Sequence, residues 1–572
     1  MAGEFQVSGN NPAAPFSLKV HRGEGMALLA MNWRQGQPPQ DFVGFAIQYQ
    51  EPGNPKLFTL SNRLGFTGPD GSVNPKKMDT LRAPIQMFRW VHFPFHAELP
   101  GDFLYRVTPV FMDDKDKLSY GPAQEASLAL SRETYPGKMN VTFTRGFVSS
   151  QAFVDTYGGS DGDISKLLPA KADEGPDFVP THPKAAQALA WMGFEARSAV
   201  LETLDQAIAD PRALVRVIAY DLNEPEILSR LQQLGSRLQL IVDDDGAHGK
   251  PGSGEAQSVA RIALSAGAQN VRRQHMGSLQ HNKTIVVDGP LVQKVVCGST
   301  NLSWRGFYVQ SNNALVLQGK KPVAVFRAAF DAYWASSQVA AFAAGPSASW
   351  IQLGLTGIRA EVAFSPHNTA NALLASVGQD IATTRSSLFY SLAFLDITPG
   401  AVKEAITAVT RDQHRFVYGM ADKPVGGIVL VTPDGNEAPM SPSALAGSVP
   451  QPFKREPTGG AGVRMHHKFI VIDFDKPTAR VYTGSYNFSK PADLQNGENL
   501  LLIRDRRVAV AYMIEALRIF DHSRFRIKQA EAQRARGGPL RLKRPPRAPG
   551  EKPWWAAHYS DVRKIKDRLL FA

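Results

Sequence analysis

The chain has 572 residues, 43% hydrophobic and 20% charged, enough apolar material for several cores, and this composition excludes a mainly disordered, collagenous or coiled-coil protein. No apolar run reaches the ~18 residues of a membrane-crossing helix, no charged start followed by an apolar stretch opens the chain, and the single cysteine, Cys297, cannot close an internal disulfide. A cytoplasmic protein is therefore expected, with export by a signal-independent route left open. The formal net charge is +12, but residues 521–572 carry fourteen basic and five acidic side chains, which leaves +3 for the other 520 residues. Enzymes of nucleic acids usually spread positive charge along a groove, so this distribution weighs against a nuclease without excluding it.

In chain order, residues 1–15 read as a disordered tail. Residues 16–135 read as β structure: Phe16-Ser-Leu18-Lys-Val20, Val43-Gly-Phe45-Ala-Ile47-Gln-Tyr49 and Phe103-Leu-Tyr105-Arg-Val107 alternate apolar and polar residues between turn-forming clusters. About seven short strands over ~100 residues predict a β-sandwich. Trp33 after an early strand and Tyr105 in a late one resemble a fibronectin type III or immunoglobulin-like module. From about Lys138 strands alternate with helices, the pattern of a parallel or mixed sheet flanked by helices. Strands are expected at Val141–Thr144, Val215–Tyr220 and Leu238–Val242, and helices at Ser198–Ala209 and Glu255–Ser265. The order recurs with strands Glu361–Phe364, Ser387–Phe394 and Arg415–Tyr418 and helices near Ala370–Ile381 and Gly400–Thr410. The pattern divides the rest of the chain into an α/β half over 136–345, a second over 346–522 and a basic extension over 523–572.

Two segments repeat in register. His281-Asn-Lys283-Thr-Ile-Val-Val-Asp288 matches His466-His-Lys468-Phe-Ile-Val-Ile-Asp473 at an offset of 185, and Gly298-Ser299-Thr-Asn301 matches Gly484-Ser485-Tyr-Asn487 at 186. Asn312-Asn313 and Glu498-Asn499 keep the offset of 186. An internal duplication explains this, and two copies of one unit pack most simply about a pseudo-twofold axis. On a strand, His281 and Lys283 lie two apart and share a face. Two copies facing each other offer two imidazoles, two ammoniums and four neutral donors. That set suits a phosphodiester: donors and cations hold the non-bridging oxygens and neutralise the charge that grows in the transition state. One imidazole attacks phosphorus while the other protonates the leaving oxygen, and no metal or cofactor is required.

HxKxxxxD followed by GSxxN, present twice, resembles the phospholipase D superfamily, from about Lys138 to Phe520. The resemblance implies two α/β/α halves around one active site, with one His forming a covalent phosphohistidine and the other acting as acid and base. It makes His281 the expected nucleophile and His466 the expected acid/base, although the sequence alone leaves that order open. Lys283 and Lys468 are expected on phosphate oxygens, with Asn301, Asn487, Ser299 and Ser485 assisting. Asp288 and Asp473 complete the catalytic motifs as strand-ending residues that hold the architecture. Glu498 matches the acid that orients a catalytic His, whereas Asn312 stands at its position in the first half. The long gaps Gly289–Cys297 and Phe474–Thr483 read as hairpin insertions away from the chemistry.

Other residues have plainer readings. Asp243-Asp244-Asp245-Gly246 reads as a turn after a strand rather than a metal site. His275 and His467 read as rim residues, Cys297 as core, and Arg272-Arg273 as either an exposed turn or a phosphate contact. Residues 524–552, with ten basic and two acidic side chains, read as a solvated arm able to touch anionic lipid or nucleic acid. The apolar end, Trp554-Trp555 to Leu569-Leu570-Phe571, is expected to dock on the catalytic domain. The expected function is a metal-independent phospholipase D, monomeric, acting on glycerophospholipids. Apolar neighbours of the motifs (Met276, Met465, Trp304, Phe307) favour lipid. The alternatives are an endonuclease of the same superfamily and a catalytically decayed scaffold.

Overall fold

The computed structural model describes residues 4–68, 78–130, 133–146, 157, 166–395, 398–422, 428–432, 437–440, 465–534 and 540–572. They form two compact units, one of Met1–Arg132 with Met513–Ala572 and one of Glu133–Tyr512.

The first unit holds two antiparallel sheets. One runs Gln6–Ser8, Phe16–Arg22, Ala27–Trp33, Arg89–His92; the other runs Leu118–Tyr120, Asp102–Met112, Phe42–Gln50, Leu57–Thr59, with Gln124–Ala129 also paired to Asp102–Met112. Along Asp102–Met112 buried and less buried residues alternate, the period-two pattern of a strand with one face on a core. That core gathers Phe16, Trp33, Phe42, Phe45, Phe103 and Tyr105. Residues 1–15 were expected to be disordered, but Gln6–Ser8 adds a strand to Lys19–His21, because an edge strand with open hydrogen-bonding groups accepts another segment.

The C-terminal segment also departs from expectation. It belongs to the sandwich unit, not to the unit carrying the repeated motifs. Trp555 is buried in the sandwich core, Trp554 stacks on Phe88 at 5.2 Å, and the Trp554 Nε1–H donates to the Phe42 carbonyl at 3.1 Å. Buried Arg89 is paired with Asp521 and, at 2.7 Å, with Asp567. The helix Val562–Phe571 starts on an Asp561 side-chain cap. The basic stretch is tied down as well: Arg544 donates to the Thr67 carbonyl at 2.7 Å, and Arg544 and Arg547 pair with Asp116. Around Arg544 and Arg547 it is not a free solvated arm, because a carbonyl and a carboxylate of the sandwich take up these two guanidiniums. Removing the aromatic cover should therefore unfold this unit first: Trp555→Ala is expected to destabilise it by about 3–5 kcal/mol, measured by denaturant unfolding of the full chain.

In the second unit each half is built on one mixed sheet. The first runs Met139–Phe143, Asn313–Gln318, Gln293–Gly298, Thr284–Asp288, Leu214–Ala219, Leu238–Val242, Val271–Arg273. The second runs Ile351–Gln352, Arg359–Ser365, Glu498–Arg504, Arg480–Gly484, Lys468–Ile472, Ser387–Leu392, Phe416–Asp422, Ile428–Val431, Glu437–Met440. Six strands correspond one to one. In each half the motif strand lies between an antiparallel hairpin partner and the strand of a parallel pair. The runs Thr-Ile-Val-Val and Phe-Ile-Val-Ile are buried throughout, as expected for central strands covered on both faces. The gaps read as insertions are instead the turn and second strand of these hairpins, and they lead directly into Gly298 and Gly484. Among the described residues no helix is long and apolar enough to cross a membrane.

Candidate active site

Both motifs begin just before their strand, three residues ahead of it in the first half and two in the second. His281 and Lys283 precede Thr284–Asp288, and His466 precedes Lys468–Ile472, so the four side chains gather where the neighbouring parallel strands end. The two imidazole rings face each other with centroids 6.4 Å apart. The Lys283 ammonium donates to the His281 carbonyl at 2.6 Å and lies 4.7 Å from the centre of the Tyr220 ring. The Lys468 ammonium donates to the His466 carbonyl at 2.9 Å and stands 3.1 Å from His466 Nε2. All four residues are buried.

Each imidazole is oriented by the opposite half. Glu498 Oε1 lies 3.2 Å from His281 Nδ1, an ion-pair distance with an angle off that of a linear hydrogen bond. Its carboxylate is itself held by the Asn487 N–H at 3.0 Å and the Asn496 amide at 2.8 Å. Asn312, the first-half counterpart of Glu498, sits with Oδ1 2.8 Å from His466 Nδ1. Position 312 therefore does not leave an imidazole unpartnered; it supplies an amide oxygen where the other half supplies a carboxylate. Short parallel bridges, Gln280 to Gly497 and Ser311 to Met465, bring these partners into register, with the Gly497 N–H donating to the Leu279 carbonyl and the His466 N–H to that of Ser311.

The remaining motif residues divide into two groups. Asn301 and Asn487 come to the site, each with a buried Oδ1 lacking a protein partner; the Asn301 amide N–H donates to Asp221 at 2.7 Å. Ser299 and Ser485 are fully buried, and each hydroxyl accepts the backbone N–H of Asn313 or Asn499 at 3.0 Å, fastening the next strand; the Ser299 hydroxyl also donates to Asn312 Oδ1 at 2.9 Å, the oxygen beside His466. Gly298 and Gly484 share a positive φ of 137° and 139°, and a Cβ at either would collide with the carbonyl of Asn313 or Asn499. Asp288 pairs with Arg327 at 2.6 Å, and Asp473 accepts the Arg385 and Ser386 N–H groups at 2.9 and 2.8 Å; both act on the scaffold.

Sequence reasoning took Asp243 only as part of a turn and missed Asp422. Asp243 Oδ1 accepts the Gln280 N–H at 2.6 Å, and Asp422 Oδ2 accepts the Met465 N–H at 3.1 Å, so each clamps the residue before a motif His. The signal was their shared place just after Val242 and Ala421, which align in the two parallel strand pairs. His467, read as a rim residue, is fully buried between Phe143 and Phe469. Met276, Met465, Trp304 and Phe307 are core residues and present no apolar surface at the site. Arg272 lies over the Trp334 ring at 4.1 Å, and Arg273 donates to the His248 carbonyl.

Burial sets the charges. It holds both imidazoles well below their ordinary range, with the two lysines adding to the effect, so both are neutral in the empty site. It pushes Lys283 down to about 7, Lys468 well below the usual range, and Glu498 up to about 7. An entering phosphate anion favours the charged lysines, so binding takes up protons. Its affinity is full below the pKa of the free lysine and is lost as pH rises through it. Diethyl phosphate, which keeps one charge across this range, should bind more weakly as pH rises through about 7, and Lys283→Arg, charged throughout, should flatten the decline; calorimetric titration at several pH values measures both.

A family model described as "Cardiolipin synthase, PLD-like domain" matches residues 204–334 and 442–520. The phospholipase D of Rickettsia prowazekii (strain Madrid E) is 48% identical over 48 residues, 8% of this chain and 22% of that protein. That of Rickettsia felis is 46% identical over the same length. The chain thus spans only 22% of the length of these curated relatives. Among solved structures, phosphatidylserine synthase from Haemophilus influenzae Rd KW20 is similar at 12% identity and a TM-score of 0.39, over 66% of this chain and 91% of that one. Nuc from Salmonella typhimurium, a phospholipase D family member, is 26% identical with a TM-score of 0.20, over 24% and 87%. The family model spans the His281 motif and its repeat, so residues 204–334 and 442–520, whose motifs meet in one site, are similar to the PLD-like domain it describes.

Proposed function

We propose that the protein is a phosphodiesterase that works through a covalent phosphohistidine, with glycerophospholipids as substrates and phosphatidic acid and a head-group alcohol as products. The observation that carries this reading is the pair of facing imidazoles, 6.4 Å apart, with a buried lysine beside each. His281 is the nucleophile. Its Nε2 lone pair forms the N–P bond as the P–O bond to the leaving alcohol breaks, and Glu498 beside Nδ1 stabilises the positive charge the phosphoimidazole acquires. With the phosphate anion bound, His466 takes up a proton; as an imidazolium it keeps its Nδ1–H on Asn312 Oδ1 and donates its Nε2 proton to the departing oxygen. Its neutral partner Asn312 stabilises an imidazolium less than a carboxylate does, which makes it the better acid. Water, or an alcohol in transphosphatidylation, then gives a proton to His466 as its oxygen attacks phosphorus and the N–P bond breaks. Lys283, Lys468, Asn301 and Asn487 hold the non-bridging oxygens.

The preference for lipid draws on the near-neutral charge of the chain outside residues 521–572 and on the phospholipase D names of the short relatives. A nuclease is the second reading, since the same groups cleave either diester. With bis(p-nitrophenyl) phosphate, whose leaving group needs no acid, His466→Asn is expected to give a stoichiometric burst of nitrophenol and an acid-labile phosphoenzyme. His281→Asn should give neither; a burst in that variant instead would reverse the two roles. Head-group release from mixed phospholipid vesicles in EDTA, lost in His466→Ala, is the expected substrate result, whereas plasmid nicking without lipid turnover would assign the protein to nucleic acid.

A further inference from the structure

We propose that Asp243, His248 and Asp221 form a hydrogen-bonded relay that positions Asn301 for phosphate. It rests on the phosphodiesterase reading for its purpose, though not for its geometry. Asp221 Oδ2 accepts from the Asn301 amide at 2.7 Å, and Asp221 Oδ1 lies 3.0 Å from His248 Nε2. His248 Nδ1 lies 2.8 Å from Asp243 Oδ2, and the other oxygen of Asp243 holds the Gln280 N–H beside His281. With a carboxylate at each ring nitrogen, His248 satisfies both contacts only as an imidazolium donating twice. Burial alone would lower its pKa, but the bonds to Asp221 and Asp243 outweigh that and raise it to about 10. Tyr220 packs on both His248 and His281, with ring centroids 4.5 and 4.7 Å away, and so ties the relay to the nucleophile.

The chemical consequence falls on Asn301. A carboxylate accepts and never donates, so Asp221 obliges the amide nitrogen of Asn301 to face it. This settles which end of the amide points where and leaves the second N–H for a phosphate oxygen. Ile218 pairs with Thr284 as Ser391 pairs with Phe469, so counting along the described residues from that register puts Phe394 at the Asp221 position. Asn487 is anchored differently, through its backbone N–H on Glu498. Asp221, His248 and Glu255 also lie close enough, within 4.8 Å, to hold a cation; that would require His248 Nε2 to give up the proton it shares with Asp221.

A double-variant cycle on the full chain tests the relay, with turnover of bis(p-nitrophenyl) phosphate and stabilisation by diethyl phosphate as readouts. Asp221→Asn and His248→Gln should each lower kcat/KM by about 10- to 100-fold. In an Asn301→Ala background each should cost less than about twofold more, because their effect passes through that amide. The rise in Tm given by diethyl phosphate should shrink in the same non-additive way. Losses that multiply in the double variants, or an unaffected His248→Gln, would overturn the relay. Activity abolished by EDTA and restored by a divalent cation would overturn it in favour of a metal site. If the wild type turns over no phosphodiester while the Tm response still depends non-additively on Asp221 and Asn301, the phosphodiesterase reading fails and the relay stands.

Discussion

Each motif imidazole is held by the other half of the duplication, and the rest of the site depends on that exchange. Glu498 reaches His281, Asn312 reaches His466, and the two parallel bridges at Gln280–Gly497 and Ser311–Met465 set the register that makes both contacts possible. Neither half contains a complete site. A repeat unit that buries His and Lys at a strand end lacks the partner that fixes the ring, and a ring free to rotate loses the alignment on which attack at phosphorus depends.

The second organising constraint is the cost of burying charge. Two lysines, two imidazoles and one carboxylate sit out of solvent in one small volume, and an ion in low dielectric is stable only with partners of opposite sign. The empty site relieves this by shedding charge: the imidazoles are neutral, and Lys283 and Glu498 are both brought to about 7. An anion restores the missing counter-charge.

Duplication made the frame nearly symmetric, and single residues then made the chemistry unequal. Glu498 against Asn312 separates the environments of the two imidazoles, and the two asparagines are anchored differently, Asn301 through its amide on Asp221 and Asn487 through its backbone N–H on Glu498. The scaffold residues kept their symmetry: Gly298 and Gly484, Ser299 and Ser485, and Asp243 and Asp422 repeat their contacts with the same partners in the corresponding strands. A change at these positions breaks a fold shared by both copies, whereas a change at 312 or 221 alters only one side of the site.

What the sequence determined by itself was whatever is local or repeated. Period-two alternation marked the sandwich strands, and the offset of 185–186 exposed the duplication and, with it, His281, Lys283, His466, Lys468 and Glu498. Those features are legible because strand periodicity and motif spacing are carried by neighbouring residues. What only the tertiary structure decided were contacts between segments distant in the chain. Ser299 and Ser485 each took a backbone N–H of the next strand, and Asp243 became a clamp rather than a turn. Trp555 entered the sandwich core, and the partner of each imidazole came from the opposite repeat. A hydroxyl, a carboxylate or an indole suits several such roles equally well, and the choice among them rests on which distant strand end or core arrives beside it.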